Sequence, residues 1–294
     1  MEVSARRPQK VVQPRTPLPA ETYDRQPDLS AAQQGALDDL RIHGIAVTTF
    51  ARLVGDEALW CELEAEMNSY VERARELAPK LPRPKRKDQF LIRRWTPDSA
   101  GEVVDDPRIP SDSPWLRLAV CDALLDVVNS FRGVYTKLVG IDNWYTVPFS
   151  ENDQRVASQR WHRDPEDVHV VKCFLYFSDV DPDAGPFEYV PSSTTDGRYG
   201  ELWEWGTQKR WYPPQEEFEA RIPESDRIQL TGPSGTLILC DTGGFHRGGH
   251  ARAKPRVLST HTYISPDSKY DKMYHEVVWR DGCELSYQSR YALT

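Results

Sequence analysis

Residues 159–165 read Gln159-Arg160-Trp161-His162-Arg163-Asp164-Pro165, and an apolar run of strand type, Val168 to Phe177, follows them. Side chains alternate along an extended chain, so His162 and Asp164 share one face. A distant counterpart is His246 in Gly244-Phe245-His246-Arg247-Gly248-Gly249, just after the strand-like Ser234 to Asp241. Two imidazoles and one carboxylate on separate strands suit an octahedral Fe(II) that keeps three adjacent positions open. Arg256 lies in the next strand-like run, where its guanidinium can clamp the carboxylate of a cosubstrate. A histidine taken alone is more often a core or surface residue than a ligand. The argument rests on the four residues together, which only a β-rich tertiary fold can bring to one place.

The bulk of the chain agrees with a soluble enzyme. Its 294 residues suffice for one large domain with a full core. The net charge of −8 argues against a nucleic-acid backbone as partner, which needs a basic face. No apolar stretch approaches a membrane span and no signal-peptide core is present, so a cytoplasmic location is expected. The five cysteines, Cys61, Cys121, Cys173, Cys240 and Cys283, are widely spaced without a C-x-x-C pair, which reads as reduced thiols. Oligomeric state is not legible.

Along the chain, residues 1–28 are Pro-rich and polar and read as a mobile arm, and 29–294 as a single domain. Ser30 is placed to cap a helix over Ala31 to Ile42, Gly44 to end it, and 45–50 to form a short strand. Asp56 to Ala78 has Leu59, Leu63, Met67, Tyr70 and Val71 at helical spacing, and its Met and aromatic stripe reads as core. The stretch 80–94 is basic, mostly a solvated loop, with Arg93 and Arg94 as candidates to face an anionic substrate. Residues 113–139 read as one more helix, and Asn143 opens the strands, giving helical support over 29–142 and a core over about 143–265. Helices first and then short strands argue an α+β fold with a β-sandwich or barrel carrying the site. The insertion 194–225, with Trp203, Trp205, Trp211 and Tyr212, is too long and aromatic to be an idle connection. It is expected to act as a lid, and the tail 266–294 to close over the barrel mouth.

Four stretches resemble the phytanoyl-CoA dioxygenase-like family of Fe(II)/2-oxoglutarate oxygenases. They are Leu40-Arg41-Ile42-His43-Gly44-Ile45-Ala46-Val47, the His162-Arg163-Asp164 motif, the strand–acidic turn–strand of 177–193, and Gly235-Thr236-Leu237-Ile238-Leu239-Cys240-Asp241 with His246 and Arg256. The resemblance implies a double-stranded β-helix (jelly-roll, cupin-like) core with N-terminal supporting helices. It implies iron on His162, Asp164 and His246, with O2 and 2-oxoglutarate as cosubstrates and Arg256 on the distal carboxylate. Phe174 and Lys172 would lie beside the cosubstrate. Arg94, Trp161, Tyr176, Trp203 and Arg252 are candidates for substrate contact.

The implied reaction is oxidation of an unactivated C–H bond in a small metabolite, such as an amino acid or natural-product intermediate, with release of succinate and CO2. Asp164 stands where halogenating relatives have a small residue, which points to hydroxylation, desaturation or cyclisation. The chain departs from the family at Ser192-Ser193-Thr194, where a P-G-S-H ending is usual. Arg252 rivals Arg256 for the cosubstrate. A cupin-like Zn or Mn enzyme, and a peptide or CoA- or carrier-bound acyl substrate, are the alternatives.

Overall fold

Ser30 accepts from the Gln33 amide while the Gln33 side chain accepts from the Ser30 amide. This reciprocal cap satisfies two of the donors that a helix start leaves open. The computed structural model describes residues 22–25, 27–81, 90–95, 102–103, 105–149, 155–203, 212–270 and 273–294. Most of the N-terminal arm, the basic residues Arg83, Lys85, Arg86 and Lys87, and both Trp205 and Trp211 lie outside them. The first helix, α1 (Ala31–His43), ends at Gly44 with a left-handed φ of 74°. A Cβ at Gly44 would also collide with the hydroxyl of Tyr189, so glycine is required twice over.

Next come β1 (Ile45–Thr49), α2 (Phe50–Leu53) and α3 (Glu57–Leu77), the last capped by Asp56 on the Leu59 amide. The helix α3 buries Leu59, Leu63, Met67, Tyr70, Val71 and Ala74, the stripe its spacing predicts. Each large apolar side chain so buried contributes about 1.5–3 kcal/mol. Three short strands follow, β2 (Leu91–Arg93), β3 (Glu102–Val103) and β4 (Arg108–Pro110).

The single helix expected over 113–139 is two helices and the start of a strand. Pro114 begins α4 (Pro114–Ala119), Cys121 turns extended at ψ 144°, and α5 (Asp122–Arg132) stops at left-handed Gly133. The apolar residues Leu138, Val139 and Ile141 belong to β5 (Lys137–Thr146), which starts earlier than its expected opening at Asn143. A short apolar run cannot distinguish a buried strand from a buried helix turn by periodicity, and that ambiguity caused the misreading. The N-terminal segment is also not purely helical, because β1 forms one edge of the main sheet.

The remaining elements are β6 (Val171–Tyr176), β7 (Phe187–Tyr189), α6 (Gln215–Arg221), β8 (Ile228–Leu230), β9 (Thr236–Asp241), β10 (His246–Arg247), β11 (Arg256–Ile264), β12 (Glu276–Val278) and α7 (Tyr287–Leu293). A main sheet runs β1-β9-β6-β11-β5-β2-β3, antiparallel except at its β2–β3 edge, and a minor one β10-β7-β8. The main sheet uses its two faces differently. Ile141, Cys173, Leu175, Leu239, Val257 and Tyr263 pack against the helices. Phe174, Tyr176, Ile238, Cys240 and Leu258 turn the other way and meet Phe187, Tyr189 and Leu230 of the minor sheet. The period of two thus sorts one set of strands into a helix-facing core and a site-facing floor. Among the described residues no helix is long and apolar enough to cross a membrane. All five cysteines are free thiols, with Cys173 and Cys240 buried.

Candidate metal centre

His162 and His246 exchange main-chain hydrogen bonds in both directions, each amide donating to the other's carbonyl at 3.0 Å. Asp164 is tied the same way, its amide donating to the Thr242 carbonyl at 3.0 Å. The backbone alone therefore brings the distant His246 loop to the His162–Asp164 pair before any side chain is considered. All three side chains are buried, and one donor atom from each lies within 4.8 Å of the others.

The second ring nitrogens settle the tautomers. His162 Nδ1 is 2.8 Å from the Arg160 carbonyl and His246 Nδ1 is 3.0 Å from the Gly244 carbonyl. A carbonyl only accepts, so each Nδ1 carries the hydrogen and each Nε2 keeps its lone pair. Those Nε2 atoms stand 3.7 and 3.6 Å from the two oxygens of Asp164. Burial, helped by the neighbouring His162, pushes the His246 pKa down to about 3, so this imidazole is neutral and ready to ligate. Burial alone would raise Asp164, but the Lys172 ammonium outweighs it and holds the carboxyl far below the usual range. Lys172 Nζ sits 2.6 Å from Asp164 Oδ2. This donor set fits a divalent first-row metal bound by two imidazoles and a carboxylate.

The loop that delivers His246 is pinned by a residue the sequence reading passed over. Asp241 is fully buried and accepts from the amides of Val170 and Gly243, and its other oxygen is 2.5 Å from His169 Nδ1. That hydrogen bond raises the His169 pKa against the opposing effect of burial. Gly244 admits the Tyr189 hydroxyl where a Cβ would collide with it. Ser193, the one residue after Pro191 that agrees with the expected P-G-S-H ending, accepts from the Phe245 amide at 2.7 Å and donates to the Val190 carbonyl.

The three ligands open onto a cavity of about 610 Å³. Arg256, Lys172 and Phe174 line it with them. Arg256 is 2% exposed, and its Nη1 donates to the Gly185 carbonyl at 2.5 Å. Its Nε has no partner, and among the described residues no carboxylate lies within ion-pair distance of this guanidinium. A buried, charged fork facing a cavity is a strong receptor for a carboxylate. Thr260, across the strand from Phe174, offers a second buried hydroxyl without a protein partner. The groups on the wall therefore fit 2-oxoglutarate as well as the triad fits iron.

Several candidates lie elsewhere. Arg94 turns away from the cavity to Asp105 at 2.8 Å and Glu66 at 3.0 Å, stacked 4.3 Å over Trp95. Its neighbour Arg93 takes the cavity side, 3.5 Å from Asp142 and 4.8 Å over Trp144, because adjacent strand residues face opposite ways. Tyr176 is wholly buried between the sheets with its hydroxyl on the Leu230 carbonyl. Arg252 is exposed and outside the cavity wall.

Trp161 stacks on Phe218 at 4.8 Å, and Trp203 joins them with Phe245 in an aromatic cluster outside the cavity. Of the described insertion aromatics it is Tyr212 that reaches the cavity, its ring stacked on His162 at 5.2 Å. From the tail, Tyr274 also lines it. Arg163, between the ligands, was not singled out by the sequence. Burial pulls its pKa down to about 10, so it stays charged at neutral pH.

No family model matches the sequence, and no curated protein matches it significantly. Solved structures do share its fold. EctD from S. alaskensis, crystallised with 2-oxoglutarate and 5-hydroxyectoine, is 18% identical with a TM-score of 0.51, over 82% of this chain and 78% of that one. The non-heme α-ketoglutarate-dependent carbocyclase SnoK from nogalamycin biosynthesis is 14% identical with a TM-score of 0.50, over 83% and 88%. AviO1 from Streptomyces viridochromogenes Tue57 is 15% identical with a TM-score of 0.50, over 81% and 97%. At such identities the likeness establishes the fold.

Proposed function

We propose that this chain is an Fe(II)/2-oxoglutarate-dependent oxygenase with a double-stranded β-helix core, acting on an unactivated C–H bond of a small molecule. The observation that carries the reading is one cavity holding a buried His, Asp, His triad together with a buried arginine that has no carboxylate of its own among the described residues. A Zn or Mn hydrolase has no evident use for that arginine. Two solved structures of the same fold, whose descriptions name 2-oxoglutarate or α-ketoglutarate, support the reading. When bound, iron and 2-oxoglutarate supply oxidative decarboxylation to succinate and CO2, with dioxygen activated for C–H oxidation.

The chain's own residues do the rest. Arg256 would bind the distal carboxylate of the cosubstrate from the cavity wall. Lys172 pairs with Asp164 Oδ2 and holds the carboxylate in place beside the two imidazoles, where it would ligate the metal. Phe174, Phe187 and Leu258 exclude water from the floor. Arg93, Asp142, Trp144, Tyr212 and Tyr274 supply the polar and aromatic wall that orients a substrate. A volume of about 610 Å³ matches a metabolite rather than a polymer. Hydroxylation, desaturation or cyclisation follow from the same hydrogen removal.

The test is anaerobic loading with Fe(II) and 2-oxoglutarate, followed by oxygen exposure and a succinate-release screen over small-metabolite pools. Substrate-stimulated succinate that disappears in His246→Ala is expected. Tight zinc binding with no 2-oxoglutarate consumption under any condition would overturn the proposal.

A further inference from the structure

The stretch 161–164 presents two faces. Its even residues, His162 and Asp164, enter the candidate metal centre, while its odd residues, Trp161 and Arg163, grip the insertion on the opposite side. Arg163 is 4% exposed. Its Nη1 donates to the carbonyls of Leu202 at 3.1 Å and Trp203 at 3.0 Å. Its Nη2 donates to those of Ser193 at 2.8 Å, Tyr199 at 3.1 Å and Gly200 at 3.4 Å. The guanidinium carbon also lies 3.9 Å over the Phe245 ring, next to the third ligand.

Residues 193–203 form turns without a helix or strand; a few of their carbonyls, such as those of Thr194, Gly197 and Tyr199, accept from amides within the segment, and others take donors from elsewhere. Arg163 provides them for five at once. Ser192 and Trp203, which bracket the segment, both hold left-handed φ angles, 55° and 49°. Non-glycine residues keep such angles only where the surroundings over-determine them. Trp161 adds its stack on Phe218 within the same aromatic cluster. The segment and the ligand strand therefore cannot move independently.

We infer that Arg163 is a positioning residue that couples the packing of segment 193–203 to metal capture by His162, Asp164 and His246. The inference rests on the metal-centre reading above. Coupling between two sites is reciprocal, so metal binding should stabilise the segment by as much as the packed segment strengthens metal binding. The segment leads on toward Tyr212, which stacks on His162 at the cavity.

The probe is Co(II), titrated into the full chain and followed by its visible d–d absorption, with hydrogen exchange of 193–203 recorded with and without the metal. Arg163→Met should weaken Co(II) binding about 10- to 100-fold, as is usual for loss of a residue that orients ligands, and Arg163→Lys by less. Gly200→Ala alters no atom of the ligand motif, yet its Cβ would press on the Thr194 and Thr195 carbonyls and distort the segment. It should weaken Co(II) as well.

Leu63→Ala, in the distant helical core, controls for general loss of stability and should keep wild-type affinity. Wild-type protein should show added exchange protection at 193–203 on binding Co(II), and Arg163→Met should not. Should Arg163→Met fail to fold, Arg163→Lys and Gly200→Ala carry the test. Folded variants with wild-type affinity and unchanged protection overturn the coupling alone. Wild-type protein that takes up no cobalt overturns the metal-centre reading, and the coupling with it.

Discussion

Lys172 Nζ and Asp164 Oδ2 form a 2.6 Å ion pair inside the candidate metal centre, with side chains only 15% and 8% exposed. The ammonium supplies positive charge beside a carboxylate buried next to the neutral ring of His246. Breaking a buried pair by removing one partner costs about 3–5 kcal/mol, because the other charge is left uncompensated. Lys172→Met should therefore lower the stability of metal-free protein by an amount of that order. With Co(II) bound, the metal compensates Asp164 and the loss should be smaller. Thermal unfolding with and without the metal reads both, and equal losses in the two states would remove the ion pair as the cause.

His162→Ala, Asp164→Ala and His246→Ala should each abolish metal uptake and turnover while far-UV circular dichroism stays native. The three positions are joined through main-chain hydrogen bonds, which survive truncation of the side chain. Metal stoichiometry is the deciding measurement. A variant with full metal content and near-wild-type turnover would take that residue out of the triad.

Arg256→Ala should raise the KM for 2-oxoglutarate about 10- to 100-fold, corresponding to a charge-assisted contact worth about 1.5–3 kcal/mol. The KM for the prime substrate should move less. Arg252 is exposed and outside the cavity wall, so Arg252→Ala should leave both near wild type. The reverse pattern would shift the cosubstrate clamp to Arg252.

Acid should destabilise the fold partly through His261, which lies on the helix-facing side of β11, far from any charge, with its pKa pushed down to about 3 by burial alone. Between that value and its ordinary 6.5 the unfolded chain holds a proton that the folded chain refuses. Stability from this group is complete above pH 6.5 and is lost as pH falls toward 3. The slope for one proton is about 1.4 kcal/mol per pH unit. Urea unfolding of metal-free protein at several pH values should show it, and His261→Asn should flatten it by one proton. An unchanged slope in that variant would assign the acid sensitivity to other groups.

How much of this was legible in the sequence depended on how local each signal was. Ser30, Gly44 and Asp56 mark helix ends by chemistry that acts within a few residues, and the structure has those ends there. The boundary near Lys137 was missed because Leu138 and Ile141 suit a buried strand as well as a helix face. His162, Asp164 and His246 were brought together on paper by strand periodicity and family pattern, and the structure holds them in one cluster.

The substrate wall was harder. Arg93 and Arg94 are chemically identical neighbours, and only the register of β2 against β5 decides that Arg93 faces the cavity. Trp161 and Trp203 looked like contact residues because large aromatics suggest binding, yet they satisfy each other's burial with Phe218 and Phe245. Arg163 carried no signal at all. Five carbonyl partners on a turn segment leave no pattern in the residue types.

The minor sheet gives the molecule two levels of cohesion. β10 is two residues long and β7 and β8 three each, whereas β5 and β11 run ten and nine residues in the middle of the main sheet. Opening of the small sheet breaks few hydrogen bonds, and it carries His246 with it. Sub-global unfolding of this kind costs less than full unfolding. An ion held by His162 and His246 together with Asp164, whose amide donates to the Thr242 carbonyl just past β9, would tie the smaller sheet to the end of a main-sheet strand. Loss of that tie would let the smaller sheet open while the longer strands of the main sheet stay paired.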